Sequence, residues 1–210
     1  MHAAQTKAPS TAAAPAQDAR PRIVVLGDSL AEGLGVAREQ SYPSLLQAKI
    51  DREGYPYRVV NMGVSGDTTS GGLSRLNGAL SLKPSVLIIE LGGNDGLRGV
   101  PAAITRANLK KMTIAAKRAG AEVLIAGMTL PPNYGPDYIR RFESAFHDIA
   151  REQRVQIVPS LFQPIIEQIG SRPGLMQPDG IHPAPEGHEL LAEHVFRYLK
   201  PMLRKDAARS

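Results

Sequence analysis

The chain contains no cysteine and no tryptophan, and its aromatics are limited to four Phe and six Tyr among 210 residues. The absence of cysteine removes disulfides, thiolate metal sites and cysteine nucleophiles together. It leaves the redox compartment open, because a chain without thiols survives in either setting. The shortage of aromatics removes the stacking platforms on which single-stranded nucleic acid binds. A formal net charge of +5 does not restore that partner, since the cations are scattered. The densest of them, Lys110-Lys111 and Lys117-Arg118, share one helical pattern with no interleaved aromatics, as a mildly basic solvated face does. No nucleic-acid partner is therefore expected. No run of about 18 apolar residues occurs, so neither a transmembrane helix nor stable membrane insertion is expected. Residues 1–20 are rich in Ala and Pro and lack both the charged n-region and the apolar h-region of a signal peptide. They also lack apolar periodicity, so a disordered tail is expected there and again over residues 205–210.

What remains is 42% hydrophobic and 21% charged, ordinary for a globular protein, and residues 21–204 suit a single domain. Short β-rich runs alternate with amphipathic helical patterns. Strands are predicted over 22–27, 57–61, 85–91, 121–126 and 155–158. Three of them carry nearly continuous apolar stretches: Ile23-Val24-Val25-Leu26, Val86-Leu87-Ile88-Ile89 and Val123-Leu124-Ile125-Ala126. Strands buried on both faces of a parallel sheet read this way. Helices are predicted over 41–52, 70–81, 102–119, 137–153 and 186–203. In the last, Leu191, Val195 and Leu199 recur every four residues. Strand followed by helix, five times over, predicts a three-layer α/β/α domain around a five-stranded parallel sheet.

In such a sheet, ligands gather beyond the carboxyl ends of the strands, so the loops that follow the strands hold the candidates. The first strand leads into Gly27-Asp28-Ser29-Leu30 and the second into Asn61-Met62-Gly63-Val64-Ser65-Gly66-Asp67. The third leads into Gly92-Gly93-Asn94-Asp95, and the fourth into Thr129-Leu130-Pro131-Pro132-Asn133-Tyr134-Gly135. After the fifth, beyond a short helical insert, comes Asp179-Gly180-Ile181-His182-Pro183. Ser29 alone reads equally well as a helix-capping serine. Its company changes the reading. Of five histidines, His2 lies in the tail, and His147, His188 and His194 fall within helical patterns, where solvated faces are expected. His182 alone sits in a loop, with Asp179 three residues before it and Gly180 to permit a turn. One short loop can thus aim a carboxylate at the imidazole and fix its tautomer. Gly66 allows close approach of a backbone N–H, and the Asn94 amide is a neutral donor. With the Ser29 N–H they could surround an oxyanion.

Four of these blocks, Gly27-Asp28-Ser29-Leu30, Ser65-Gly66-Asp67, Gly93-Asn94-Asp95 and Asp179-Gly180-Ile181-His182-Pro183, in this order and spacing, resemble the SGNH (GDSL-type) hydrolase family over nearly the whole of residues 22–200. Glu90-Leu91-Gly92-Gly93-Asn94-Asp95-Gly96-Leu97-Arg98-Gly99 and Leu130-Pro131-Pro132-Asn133-Tyr134-Gly135 are most similar to its bacterial thioesterase/lysophospholipase/arylesterase branch. The resemblance implies a flavodoxin-like sheet, Ser29 as nucleophile, Asp179 and His182 as its partners, and Ser29, Gly66 and Asn94 as oxyanion donors. No Gly-x-Ser-x-Gly elbow of the α/β-hydrolases occurs.

The expected activity is hydrolysis of short- to medium-chain acyl esters through an acyl-serine, with small-molecule substrates and no metal or organic cofactor. Residues 128–138 are expected to form a flexible wall of the acyl pocket, with Pro131, Asn133 and Tyr134 as substrate contacts, or else a plain surface connection. Removal of acetyl groups from carbohydrate is the alternative substrate class, though the lack of tryptophan for sugar stacking counts against it. A non-catalytic ligand-binding module would have no use for the Asp179–His182 pair. The periplasm is the expected location, ahead of the cytoplasm.

Overall fold

The computed structural model describes residues 18–207. In chain order the elements are β1 (Arg22–Gly27), α1 (Ser29–Glu32), α2 (Tyr42–Arg52), β2 (Arg58–Gly63), α3 (Thr69–Ser81) and β3 (Pro84–Glu90). There follow α4 (Gly93–Leu97), α5 (Ala102–Arg118), β4 (Glu122–Ala126), α6 (Pro136–Gln153), β5 (Gln156–Val158), α7 (Gln163–Ile166) and α8 (Pro185–Leu199). All strand pairings are parallel, in the order β2-β1-β3-β4-β5. This is the flavodoxin-like order, whose switch point lies between β1 and β3.

The apolar runs occupy the middle of the sheet. Val24, Leu87 and Leu124 and their strand neighbours are buried, because helices cover both faces: α2 packs with α8 on one, and α5 packs with α3 and α6 on the other. Side chains on both faces of β1, β3 and β4 must then be apolar, and β-branched residues suit that pleated environment. The edge strands β2 and β5 are only partly buried, which is why their sequences mix polar with apolar residues. Under α5 and α6, Phe142 meets Phe146 edge-on at 5.2 Å. On the other face, Tyr42, Leu46 and Ile50 are fully buried, as are Leu191, Val195 and Leu199. Each of these Leu, Ile and Val burials contributes about 1.5–3 kcal/mol.

The structure differs from the sequence reading in several places. The last α-helix stops at Leu199 and continues as a single 3₁₀ turn over Lys200–Met202. Pro201 has no N–H to donate to the carbonyl four residues earlier, so the α-helical ladder ends there. His188 and His194 are 1% and 5% exposed, which corrects the expectation of solvated faces; only His147 among the helical histidines is exposed. The tail expected over residues 1–20 lies mostly outside the described residues. Arg20, within them, reaches Asp51 at 3.2 Å. Of the expected C-terminal tail, residues 205 and 206 form a turn, with the Lys205 ammonium 5.5 Å from the Tyr55 ring centre; residues 208–210 lie outside. No helix among the described residues is long and apolar enough to cross a membrane.

Candidate active site

The site is built at the carboxyl ends of β1 and β3. Strand β1 ends at Gly27, where a Cβ would come within 2.5 Å of both Ala31 Cβ and Glu90 Oε2. Only glycine lets the chain turn this tightly into α1. Asp28 caps that helix, its Oδ1 accepting from the Leu30 N–H at 3.0 Å. Ser29 is thus the first helical residue rather than the cap. It is 7% exposed.

Asp179 and His182 come from the loop between α7 and α8. Ser29 Oγ lies 2.9 Å from His182 Nε2, and His182 Nδ1 lies 2.6 Å from Asp179 Oδ2. The second carboxylate oxygen of Asp179 accepts from the backbone N–H groups of Ile181 (2.9 Å) and His182 (3.0 Å). The His182 side-chain bond, helped by these two donors, lowers the Asp179 carboxyl to about 2. An ionised Asp179 holds the proton on Nδ1 and leaves Nε2 free to accept from the serine hydroxyl.

Asn94 and the Gly66 turn are tied to the segment around Ser29. Asn94, on α4, donates from Nδ2 to Asp28 Oδ2 at 3.2 Å, so its amide hangs beside the residue that precedes Ser29. Helix α4 is itself fixed by buried Asp95, which accepts from the Thr69 N–H (2.8 Å) and the Thr105 hydroxyl (3.3 Å). Gly66 has φ +76°, in the region that favours glycine. Its carbonyl accepts from Arg98 Nη2 at 2.9 Å, while the preceding N–H, that of Ser65, donates to Glu32 Oε2 at 2.7 Å. The Ser65–Gly66 peptide is therefore held on both sides by exposed, oppositely charged side chains. Of the residues expected at the acyl pocket, Pro131 and Asn133 are exposed and Tyr134 is half-buried. Tyr134 Oη donates to the Leu97 carbonyl (3.0 Å) and Tyr138 Oη to the Val100 carbonyl (2.7 Å). Far from hanging free, this segment is pinned by two phenols against the end of α4 and the residues after it.

Some participants escaped the sequence reading. Glu90, at the end of β3, is fully buried. Its Oε2 accepts from the Ala31 N–H (3.1 Å) and the Asp28 N–H (3.4 Å). Burial first, and then the nearby Asp28 carboxyl, raise its pKa well above the usual carboxylate range, and it lies under the turn that carries Ser29. A lone acid closing an apolar run, Val86-Leu87-Ile88-Ile89-Glu90, was the available signal. Burial also raises Asp28 to about 6 against the opposing bonds from Leu30 and Asn94.

Residues 25–190 match the model of the GDSL-like lipase/acylhydrolase family. The chain belongs to that family. Esterase TesA of Pseudomonas aeruginosa is 45% identical over 89% of this chain and 92% of its own length. Thioesterase 1/protease 1/lysophospholipase L1 of Escherichia coli is 34% identical, over 88% and 86% respectively. The crystal structure of TesA superposes with a TM-score of 0.81 at 45% identity, covering 87% of this chain and 99% of that one. By family the chain is a carboxylic ester hydrolase.

Proposed function

We propose that this enzyme hydrolyses short- to medium-chain acyl esters through a covalent acyl-Ser29 intermediate. The observation that carries the reading is the continuous chain from Ser29 Oγ to His182 to Asp179, at 2.9 and 2.6 Å. His182 Nε2 takes the hydroxyl proton as Ser29 Oγ attacks the acyl carbonyl carbon. The negative charge collects on the carbonyl oxygen, facing the Ser29 and Gly66 N–H groups and the Asn94 amide. Collapse of this intermediate breaks the bond to the leaving alcohol or thiol, which departs with the proton from His182. Water then enters, gives its proton to His182 and attacks the acyl carbon. Ser29 leaves with that proton, and the carboxylic acid is released. The serine and its base are indifferent to an oxygen or sulfur leaving atom, so thioesters, aryl esters and lysophospholipids fall within the proposed range.

Pro131, Asn133 and Tyr134 would line the acyl side, supported by the bond that fixes Tyr134 to the end of α4. Hydrolysis of p-nitrophenyl esters from C2 to C12 by wild type and Ser29→Ala tests the proposal. Turnover that disappears in the variant is expected, with a maximum at short or medium chains. Turnover that survives in folded Ser29→Ala would remove the serine from the mechanism. The periplasm is the proposed location, on the resemblance to the bacterial branch; release of the native protein by osmotic shock is expected, and retention with cytosolic markers would overturn it.

A further inference from the structure

Asp179 and His182 ride on a loop closed upon itself. The Ala184 N–H donates to the Leu175 carbonyl (2.9 Å), the Gln177 N–H to the His182 carbonyl (2.8 Å), and the Gly180 N–H to the Gln177 carbonyl (3.0 Å). These bonds hold the loop's residues to one another and leave open how the loop stays in register with Ser29. Among the described residues, two hydrogen bonds cross from this loop to the segment 28–36. One is the Ser29–His182 bond itself. The other runs from Gln177 Nε2 to the Leu34 carbonyl, at 2.7 Å. The same nitrogen donates its second hydrogen to the Pro183 carbonyl at 2.9 Å. Leu34 is in turn fastened to the nucleophile, its N–H donating to the Ser29 carbonyl at 3.1 Å.

The chemistry of the contact is selective. Both partners are carbonyl oxygens, so the contact calls for a group with two donor hydrogens, which the neutral amide NH₂ supplies and a carboxylate does not. Space has been left for it: Gly35 has φ +81°, and a Cβ there would stand 2.1 Å from Gln177 Oε1. We propose that Gln177 is a positioning residue for the hydrolysis, its side-chain amide setting the distance between Ser29 and His182 by tying the base-carrying loop to the turn after the nucleophile. This rests on the reading of Ser29 and His182 as nucleophile and base. Loss of the tie leaves Asp179 and His182 joined to each other but free to drift from Ser29. A displacement of about 1 Å at a reacting pair costs on the order of 10²-fold in rate.

The test uses Gln177→Ala, which removes the amide, and Gln177→Glu, which keeps the shape but turns an acceptor toward two carbonyls. Each is assayed on p-nitrophenyl butyrate and for the rate at which a fluorophosphonate labels Ser29. In both folded variants kcat is expected to fall by about 10- to 100-fold, and labelling in parallel, with KM within about twofold. A kcat near the wild-type value in folded protein overturns the proposal, as does a fall in kcat with labelling unchanged. If the variants do not fold, or wild type has no turnover, the side-chain amide of wild-type Gln177 decides the matter by hydrogen exchange. Exchange about tenfold or more slower than that of a solvated glutamine supports the tie; exchange at the solvated rate overturns it. Absent wild-type turnover removes the esterase reading separately, whatever the amide does.

Discussion

Asp28 precedes Ser29 by one residue and Asp179 precedes His182 by three, yet their surroundings are opposite. Asp28 is 2% exposed, lies beside the buried Glu90 carboxyl and is raised to about 6. The Asp179 side chain is 45% exposed and, gripped by three donors from its own loop, is lowered to about 2. Burial dominates the first and hydrogen bonding the second. The Ser29 half of the candidate site is built from the core outward, with its carboxyls held in by the sheet. The His182 half is an external loop that carries its own donors. One residue type thus serves two purposes, a scaffold beneath Asn94 and an ionised partner for His182.

The sharpest way to break this contrast is to neutralise each aspartate in turn. Asp179→Asn keeps the two backbone bonds but presents an N–H to His182 Nδ1, which forces the proton onto Nε2 and toward Ser29. A loss of about 10⁴ in kcat is expected from this wrong tautomer, measured by steady-state kinetics on a folded variant. A loss below about tenfold would mean that the Asp179–His182 bond is structural only. Asp28→Asn keeps the cap on Leu30 but sets its NH₂ against that of Asn94. With one donor unpaired, a fall in kcat of about tenfold is expected.

Stability separates the two as well. Asp28 has its folded pKa raised from 3.8 to about 6, so the unfolded chain gives up its proton first as pH rises. Its contribution is fully present below 3.8 and declines until pH passes about 6. Asp179, lowered to about 2, contributes above 3.8 and loses its effect as pH falls toward 2. The Tm of Asp28→Asn relative to wild type should therefore rise between pH 4 and 6.5. A difference independent of pH would show that Asp28 is not held protonated by its burial.

Much of this was legible in the residues themselves. β1, β3 and β4 stood out because strands buried on two faces must be apolar throughout; strand ends moved by one residue at β3, β4 and β5 and by up to two at the edge strand β2. The Asp179–His182 pair was legible because four consecutive residues of one loop contain it. Helices α1 and α4, each about one turn long, leave no periodicity to read. His188 and His194 were misjudged because helical spacing does not say which face a polar residue takes when two layers of helix cover the sheet. Glu90, Arg98 and Gln177 could not be assigned, since their partners Ala31, Gly66 and Leu34 lie 59, 32 and 143 residues away. Only the closed sheet brings them together.

The central claim is that Ser29 becomes covalently acylated with the help of His182. Its most direct test is the mass of the protein after treatment with a fluorophosphonate, followed by peptide mapping. A single adduct on the peptide containing Ser29 is predicted, formed far more slowly in His182→Ala and absent in Ser29→Ala. Labelling on another residue, or at an equal rate in all three proteins, would contradict it.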